Sequence, residues 1–208
     1  MAERGDLIRQ RLAAFESVDP TEWFWEFAFG ILTPQSRARH ADIVVQRLRE
    51  RDYFLRGGSV VDLLRSPDSY IRFHNVKSQR LELLRNSWSS VVNLLNDAVR
   101  TVPDRGRSSI HEARLFRNEL ASRISGYGLK EASHVLRNIG WRNLAIIDRH
   151  LISNMSQLGI CEASVAVGSH RQYHNLENSF SSWCELHGYD MDEMDLLFWS
   201  QQTGEIFK

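Results

Sequence analysis

The chain has 208 residues, of which 42% are hydrophobic and 25% are charged, as in an ordinary soluble globular protein. This length allows one large domain or two small ones. No apolar run reaches the ~18 residues that a membrane helix needs, and the first residues lack the apolar core of a signal peptide. Two cysteines, Cys161 and Cys184, make no disulfide framework, so a reducing cytoplasm is the expected location.

The net charge of zero conceals an uneven distribution. Residues 153–208 carry a net charge of −6, so residues 1–152 carry +6. Of the 26 basic residues 23 are arginines, which form forked contacts with phosphate. This excess favours a nucleic-acid partner, although a GC-rich genome would give the same composition. The lysines are few: Lys77, Lys130 and Lys208.

Apolar residues recur at helical spacing along most of the chain, which predicts an all-α fold. In chain order the periods predict helices near 7–15, 24–32, 43–55, 81–99, 110–124 and 176–183. Residues 102–107 read as a loop between sub-bundles. Gly159 would end a helix begun at Asp148, and Asp190 with Glu193 resembles a capping box before the last helix.

A hairpin is predicted between the helix at 110–124 and a helix that begins near Lys130. Its residues are Gly126, Tyr127 and Gly128, and two glycines two apart permit a tight turn whose backbone N–H groups can approach a phosphate. The start of the next helix adds further N–H groups and the positive end of its dipole. By itself this pattern also fits a plain turn between two helices.

Lys130 is unusual because it lies in the first turn of a helix, where the helix dipole disfavours cations. The same field favours a neutral amine, which is the nucleophile that attacks a sugar C1′ and forms a Schiff base. A solvated lysine on a helix surface is the alternative interpretation. Asp148 follows an apolar run and precedes a helix, as an N-cap does; there it could stabilise an oxocarbenium ion, or only cap the helix.

The segment from Gly126 to Asn138, followed by Ile147-Asp148-Arg149-His150, resembles the archaeal-type 8-oxoguanine DNA glycosylase/AP lyases of the helix-hairpin-helix superfamily. Segments 31–35, 72–77 and 195–208 are similar to the same family. The resemblance implies that Lys130 is the Schiff-base nucleophile and Asp148 the catalytic carboxylate.

The resemblance also implies candidate residues for recognising the damaged base. A C-terminal lysine serves this purpose in the family, and Lys208 occupies that place, although a last residue is often a frayed terminus. Trp199 resembles a residue that stacks on the flipped base, whereas Phe198 and Trp88 fit the core better. Gln35 is the candidate for filling the gap that the base leaves, although Pro34 departs from related loops.

These observations predict two helical subdomains with a DNA cleft between them. Residues 1–30 with 150–208 would form one, and residues 31–149 the other, with the helix-hairpin-helix at about 110–139. The predicted enzyme is a monomeric base-excision-repair glycosylase/AP lyase that acts on duplex DNA containing oxidised guanine. Neither a metal nor a cofactor is predicted, apart from a candidate site for backbone-bound Na⁺ or K⁺ at the hairpin.

Other interpretations remain open at this point. The same scaffold could remove another damaged base, or it could be a non-catalytic DNA-binding module. A zinc site built from Cys161, Cys184 and the histidines at 170, 174 and 187 fits no common spacing. Two cysteines are too few for a four-cysteine iron–sulfur cluster.

Overall fold

The computed structural model describes residues 2–207, with side chains at all of these positions except 2, 107 and 203. Within this range the chain forms twelve α-helices joined by turns and three short 3₁₀ segments, and no strand occurs there. The helices are α1 (Ala2–Glu16), α2 (Trp23–Leu32), α3 (Ala38–Glu50), α4 (Tyr53–Arg56), α5 (Val61–Leu64), α6 (His74–Asn86), α7 (Trp88–Thr101), α8 (Ile110–Arg123), α9 (Leu129–Asn138), α10 (Arg149–Gln157), α11 (His170–His187) and α12 (Met191–Thr203). The predicted all-α class is confirmed. None of the described helices is long and apolar enough to cross a membrane.

Two of the predicted helices are each divided into two. The period at 81–99 spans α6 and α7, which meet at Ser87; its hydroxyl donates to the carbonyl of Leu83 at 2.9 Å. The period at 43–55 covers α3 and α4, separated at Asp52, whose φ is +53°. The apolar spacing continues across each break because both helices bury residues in the same core. The spacing of apolar residues therefore indicates which residues are buried here, and not that the helix is continuous.

The buried apolar side chains form three clusters. The largest joins α2 to α9 and also takes in Phe207. A second cluster combines Leu129 at the start of α9 with residues of the 145–155 segment, α11 and α12. A third packs α1 against Leu196 of α12. The start of α9 thus lies at the junction between the first two clusters.

The first predicted domain boundary, at residue 30, falls inside α2. Every buried apolar residue of α2 belongs to the largest cluster, together with α3 to α9. Packing therefore groups α2 with the helices that follow it. The helix-hairpin-helix occupies α8 and α9, within the predicted 110–139. The division into two subdomains stays a prediction.

Candidate active site

The hairpin between α8 and α9 is built by local contacts. Gly126 has a φ of +91°, which an L side chain rarely adopts, and the N–H of Tyr127 donates to the carbonyl of Ile124 at 3.1 Å. The N–H of Gly128 donates to Oε2 of Glu131 at 3.1 Å. A side chain in the first turn of α9 thus accepts a hydrogen bond from the residue that precedes the helix. Two of the three predicted phosphate-binding N–H groups therefore have partners within the chain. The first N–H groups of α9 have no acceptor within their own helix, and they point out of its N-terminal end.

Tyr127 anchors the hairpin to α2. Its ring is buried and stacks on Phe27 with 6.0 Å between the ring centroids, and its hydroxyl donates to the carbonyl of Phe27 at 2.8 Å. A Cβ at Gly30 would lie 2.5 Å from that hydroxyl, so only glycine leaves room for it. The side chain of Tyr127 therefore holds the hairpin in place, and its N–H already donates to Ile124, so the phosphate role of Tyr127 stays a prediction.

Arg80 of α6 lies against the hairpin glycine. A Cβ added to Gly126 would meet Cδ and Nε of Arg80 at 2.5 Å. The guanidinium thus sits beside the turn that is predicted to approach DNA, and it makes no ion pair with the described acidic residues. Arginine in this position adds a positive charge to the hairpin.

Lys130 is the second residue of α9 and its side chain is 27% exposed. Its Nζ lies 3.8 Å from Oε1 of Glu131, a loose ion pair. Glu131 also accepts the N–H of Gly128, so one carboxylate faces both the hairpin and the lysine. The lysine is thereby partly sheltered from solvent while its amine remains accessible.

Asp148 is the N-cap of α10, as predicted. Its Oδ1 accepts the N–H groups of His150 and Leu151 at 2.8 and 2.9 Å. No described residue donates to Oδ2 of this carboxylate. The cap thus fixes one oxygen and leaves the other for a further partner.

Lys130 and Asp148 line one cavity of about 390 Å³. The start of α9 forms one part of its wall, Ile147 and Asp148 a second, and the turn before α11 a third. The lining residues are Gly128, Leu129, Lys130, Glu131, Ile147, Asp148, Val167, Gly168, Ser169, His170 and Tyr173. Two residues that are 18 positions apart in the sequence therefore line the same cavity.

Comparison with known proteins identifies the family. Residues 8–189 match the family model described as 8-oxoguanine DNA glycosylase. This chain belongs to the 8-oxoguanine DNA glycosylase family. A protein of Fusobacterium nucleatum named 8-oxoguanine DNA glycosylase/AP lyase is 34% identical over 214 residues, which cover 99% of this chain and 93% of that protein.

Further relatives in this glycosylase family match nearly the whole length of this chain. A Saccharolobus solfataricus protein with the same name is 31% identical over 207 residues, covering 99% of this chain and 92% of that protein. The crystal structure of the Methanocaldococcus jannaschii 8-oxoguanine glycosylase/lyase in complex with DNA containing 8-oxoguanine is similar with a TM-score of 0.80. That match has 26% identity and covers 98% of this chain and 92% of that chain. The predicted helix-hairpin-helix glycosylase fold is confirmed.

In this glycosylase the segment that leads to Asp148 is held by side chains. The N–H groups of Asn143 and Ile146 donate to carboxylates of α12, Asp192 at 2.9 Å and Asp195 at 2.7 Å. Burial raises the pKa of Asp192 to about 6 and that of Asp195 to about 7.

Two side chains of α11 hold the same segment. The N–H of Ala145 donates to Oε1 of Glu177 at 3.1 Å, and that of Ile147 to the hydroxyl of Tyr173 at 3.2 Å. None of these four acceptors was predicted from the sequence to hold this segment.

Trp199, a predicted base-recognition residue, does not line this cavity. Trp199 lies half-buried on α12 and packs against the largest cluster, while Phe198 is buried in the second cluster, as predicted for a core residue. Lys208 lies outside the described residues. Just before it, Phe207 is buried beneath the guanidinium of Arg39, 4.4 Å from its ring centroid. The base-recognition roles of Trp199 and Lys208 stay predictions.

Gln35 is exposed on the loop between α2 and α3, with a φ of +54°. A buried lysine shapes this loop: Nζ of Lys77 donates to the carbonyls of Leu32 and Pro34 at 2.7 and 2.6 Å, and to Oγ of Ser36 at 3.2 Å. Burial lowers the pKa of Lys77 to about 8. The sequence signal was the rarity of lysine, but the spacing gave no indication of its partners. The void-filling role of Gln35 stays a prediction.

No three histidine, cysteine, aspartate or glutamate side chains among the described residues lie close enough together to hold a metal ion. Cys161 and Cys184 are free thiols, and burial raises the pKa of Cys184 to about 12. The prediction of a backbone-bound Na⁺ or K⁺ at the hairpin is untested.

Proposed function

We propose that this chain, acting as a monomer, removes 8-oxoguanine from duplex DNA and then cleaves the strand at the resulting abasic site. The observation that supports this is the cavity that Lys130 shares with Asp148, beside a hairpin and a helix start suited to a DNA phosphate. Since a duplex hides C1′ from a protein side chain, the damaged nucleotide must be extruded into the cavity.

Lys130 supplies the nucleophile. In its neutral form, Nζ attacks C1′ of the extruded nucleotide, the bond from C1′ to N9 breaks, and the base leaves with the bonding electrons and takes up a proton. In the resulting hemiaminal ether the bond from C1′ to O4′ then breaks, O4′ takes up a proton, and a protonated Schiff base forms between Lys130 and C1′. Loss of a proton from C2′ expels the 3′ phosphate, which is the β-elimination of a lyase. Asp148 stabilises the positive charge that develops on the sugar while the base departs.

Borohydride trapping tests the role of Lys130. Wild-type protein incubated with an 8-oxoguanine duplex and borohydride should give a covalent DNA adduct, and Lys130→Gln should give none. The chain has only three lysines, so peptide mapping of the adduct assigns the reacting amine without ambiguity. An adduct in Lys130→Gln, or an adduct mapped to Lys77, would overturn the assignment. Parallel duplexes with thymine glycol or undamaged guanine distinguish the base specificity, and no adduct with any lesion would indicate a non-catalytic DNA-binding module.

Asp148→Asn tests the carboxylate separately from the cap. Asparagine retains an oxygen for the N–H groups of His150 and Leu151, so α10 should keep its start. The single-turnover rate should fall by about 10²–10³-fold because a neutral amide stabilises the sugar cation poorly. Affinity for a duplex with a tetrahydrofuran abasic analogue should stay within about twofold. An equal loss of binding would assign Asp148 a structural role instead.

A further inference from the structure

The hydroxyl of Tyr173 contacts two different parts of the active site. Tyr173 lies on α11 and is buried. Its hydroxyl donates to the carbonyl of Ala145 at 2.6 Å and accepts the N–H of Ile147 at 3.2 Å. A third contact, at 3.2 Å, joins it to Oγ of Ser133 on α9. A phenol offers one proton and two lone pairs, so these three contacts use its full capacity.

The partners of Tyr173 are close in the chain to the two proposed reacting groups. Ser133 follows Lys130 by three residues on α9, and Ile147 immediately precedes Asp148. A single hydroxyl therefore joins the helix that carries the amine to the segment that ends in the carboxylate. Tyr173 is also one of the residues that line the cavity.

A buried ion pair keeps Tyr173 in place. The guanidinium of Arg117 on α8 lies over the tyrosine ring, 5.1 Å from its centroid, and pairs with Glu177, one turn along α11. Arg117 also donates to Oγ of Ser133 at 3.3 Å, so the serine proton is directed to the tyrosine. Both charged side chains are fully buried. Such an enclosed network has little freedom to rearrange.

We propose that Tyr173 is a positioning residue that sets the separation between the Lys130 amine and the Asp148 carboxylate. This inference rests on the proposed function, since it concerns the geometry of that catalytic pair. Reactions between bound groups depend steeply on their placement, and a shift of about 1 Å costs about 10²-fold in rate. Burial raises the pKa of the tyrosine hydroxyl, so it retains the proton that it donates to Ala145 at any pH where the enzyme acts.

Tyr173→Phe removes the hydroxyl and keeps the ring. In single-turnover trapping at saturating protein, the rate of adduct formation should fall by about 10–100-fold, while affinity for tetrahydrofuran DNA stays within about twofold. The matched control is Tyr53→Phe, which also removes a buried hydroxyl, one with no hydrogen-bond partner among the described residues. This control should react at the wild-type rate. A wild-type rate in Tyr173→Phe would overturn the inference.

A double mutant distinguishes positioning from a general loss of structure. If Tyr173 acts through Asp148, adding Tyr173→Phe to Asp148→Asn should lower the rate by less than about threefold. A full 10–100-fold loss in that background would overturn the inference. If Tyr173→Phe does not fold, Ser133→Ala breaks the link to α9 alone; it should slow the reaction at unchanged affinity, and a wild-type rate would again overturn it. If the wild type itself forms no adduct, the proposed function fails as well, whereas every other negative result removes only the role of Tyr173.

Discussion

Lys130 and Asp148 both lie at helix starts and line one cavity, but their surroundings are built differently. The hairpin before Lys130 is closed by contacts between residues no more than three positions apart, from Tyr127 to Ile124 and from Gly128 to Glu131. The segment before Asp148 is held by side chains that follow it by 26 to 49 positions. One half of the proposed site is therefore closed by local contacts and fastened to α2 by Tyr127, whereas the other depends on how two distant helices dock.

Removing a side chain that holds the Asp148 segment should give the largest loss of stability. Glu177→Ala leaves Arg117 buried without its partner and leaves the N–H of Ala145 without an acceptor. The free energy of unfolding should fall by about 3–5 kcal/mol, as measured by urea titration. The control, Glu119→Ala, breaks an exposed pair with Arg123 and should change stability by less than about 1 kcal/mol. Equal losses in the two variants would show that the segment does not depend on its buried acids.

The second test of the same half is the pH dependence of stability. Because burial raises the pKa of Asp192 from 3.8 to about 6, the folded chain holds a proton that the unfolded chain releases over this range. Its contribution to stability is full below about pH 4 and is lost as the pH rises through 6. Asp192→Asn lacks this loss. The free energy of unfolding of the variant, relative to that of the wild type, should therefore rise by up to about 3 kcal/mol when the pH is raised from about 4 to 7. Urea titrations at both values measure this, and a difference that does not change with pH would contradict it.

The local half should respond more weakly and in a different property. Gly126→Ala places a Cβ against Arg80 at a positive φ and should cost about 1–3 kcal/mol of stability and about tenfold in affinity for duplex DNA. Gly58→Ala is the control, since its φ is +96° but no atom lies within 4 Å of the added Cβ. It should lose similar stability and no affinity in a fluorescence anisotropy titration. Equal affinity losses would show that the hairpin is not the contact with DNA.

The same division explains what the sequence could predict. The hairpin, the two helices around it and the cap at Asp148 follow from signals within a few residues, and all lie where they were expected. The four acceptors on α11 and α12 could not be predicted, because spacing along a helix does not show which acid or tyrosine side chains will be buried against a distant segment. Asp190 illustrates this: it caps α12 as predicted, while Asp192 two residues later is buried.

The split of the predicted helices at 81–99 and 43–55 has a related cause. Hydrophobic spacing records which residues face a core, and two consecutive helices that face one core keep the spacing across a bend. The place of α2 in the largest cluster likewise depends on which side chains it packs against. These features are set by tertiary packing, which a single sequence reports only indirectly.

The acceptors that hold the Asp148 segment come late in the chain, which sets the order in which the site can form during synthesis. The ribosome makes the hairpin and Lys130 first, and makes Glu177, Asp192 and Asp195 on the order of seconds later. During this interval the local hydrogen bonds of the hairpin can form, whereas the N–H groups of residues 143 and 145–147 still lack their acceptors. The Asp148 segment can therefore take its final position only after nearly the whole chain has been made.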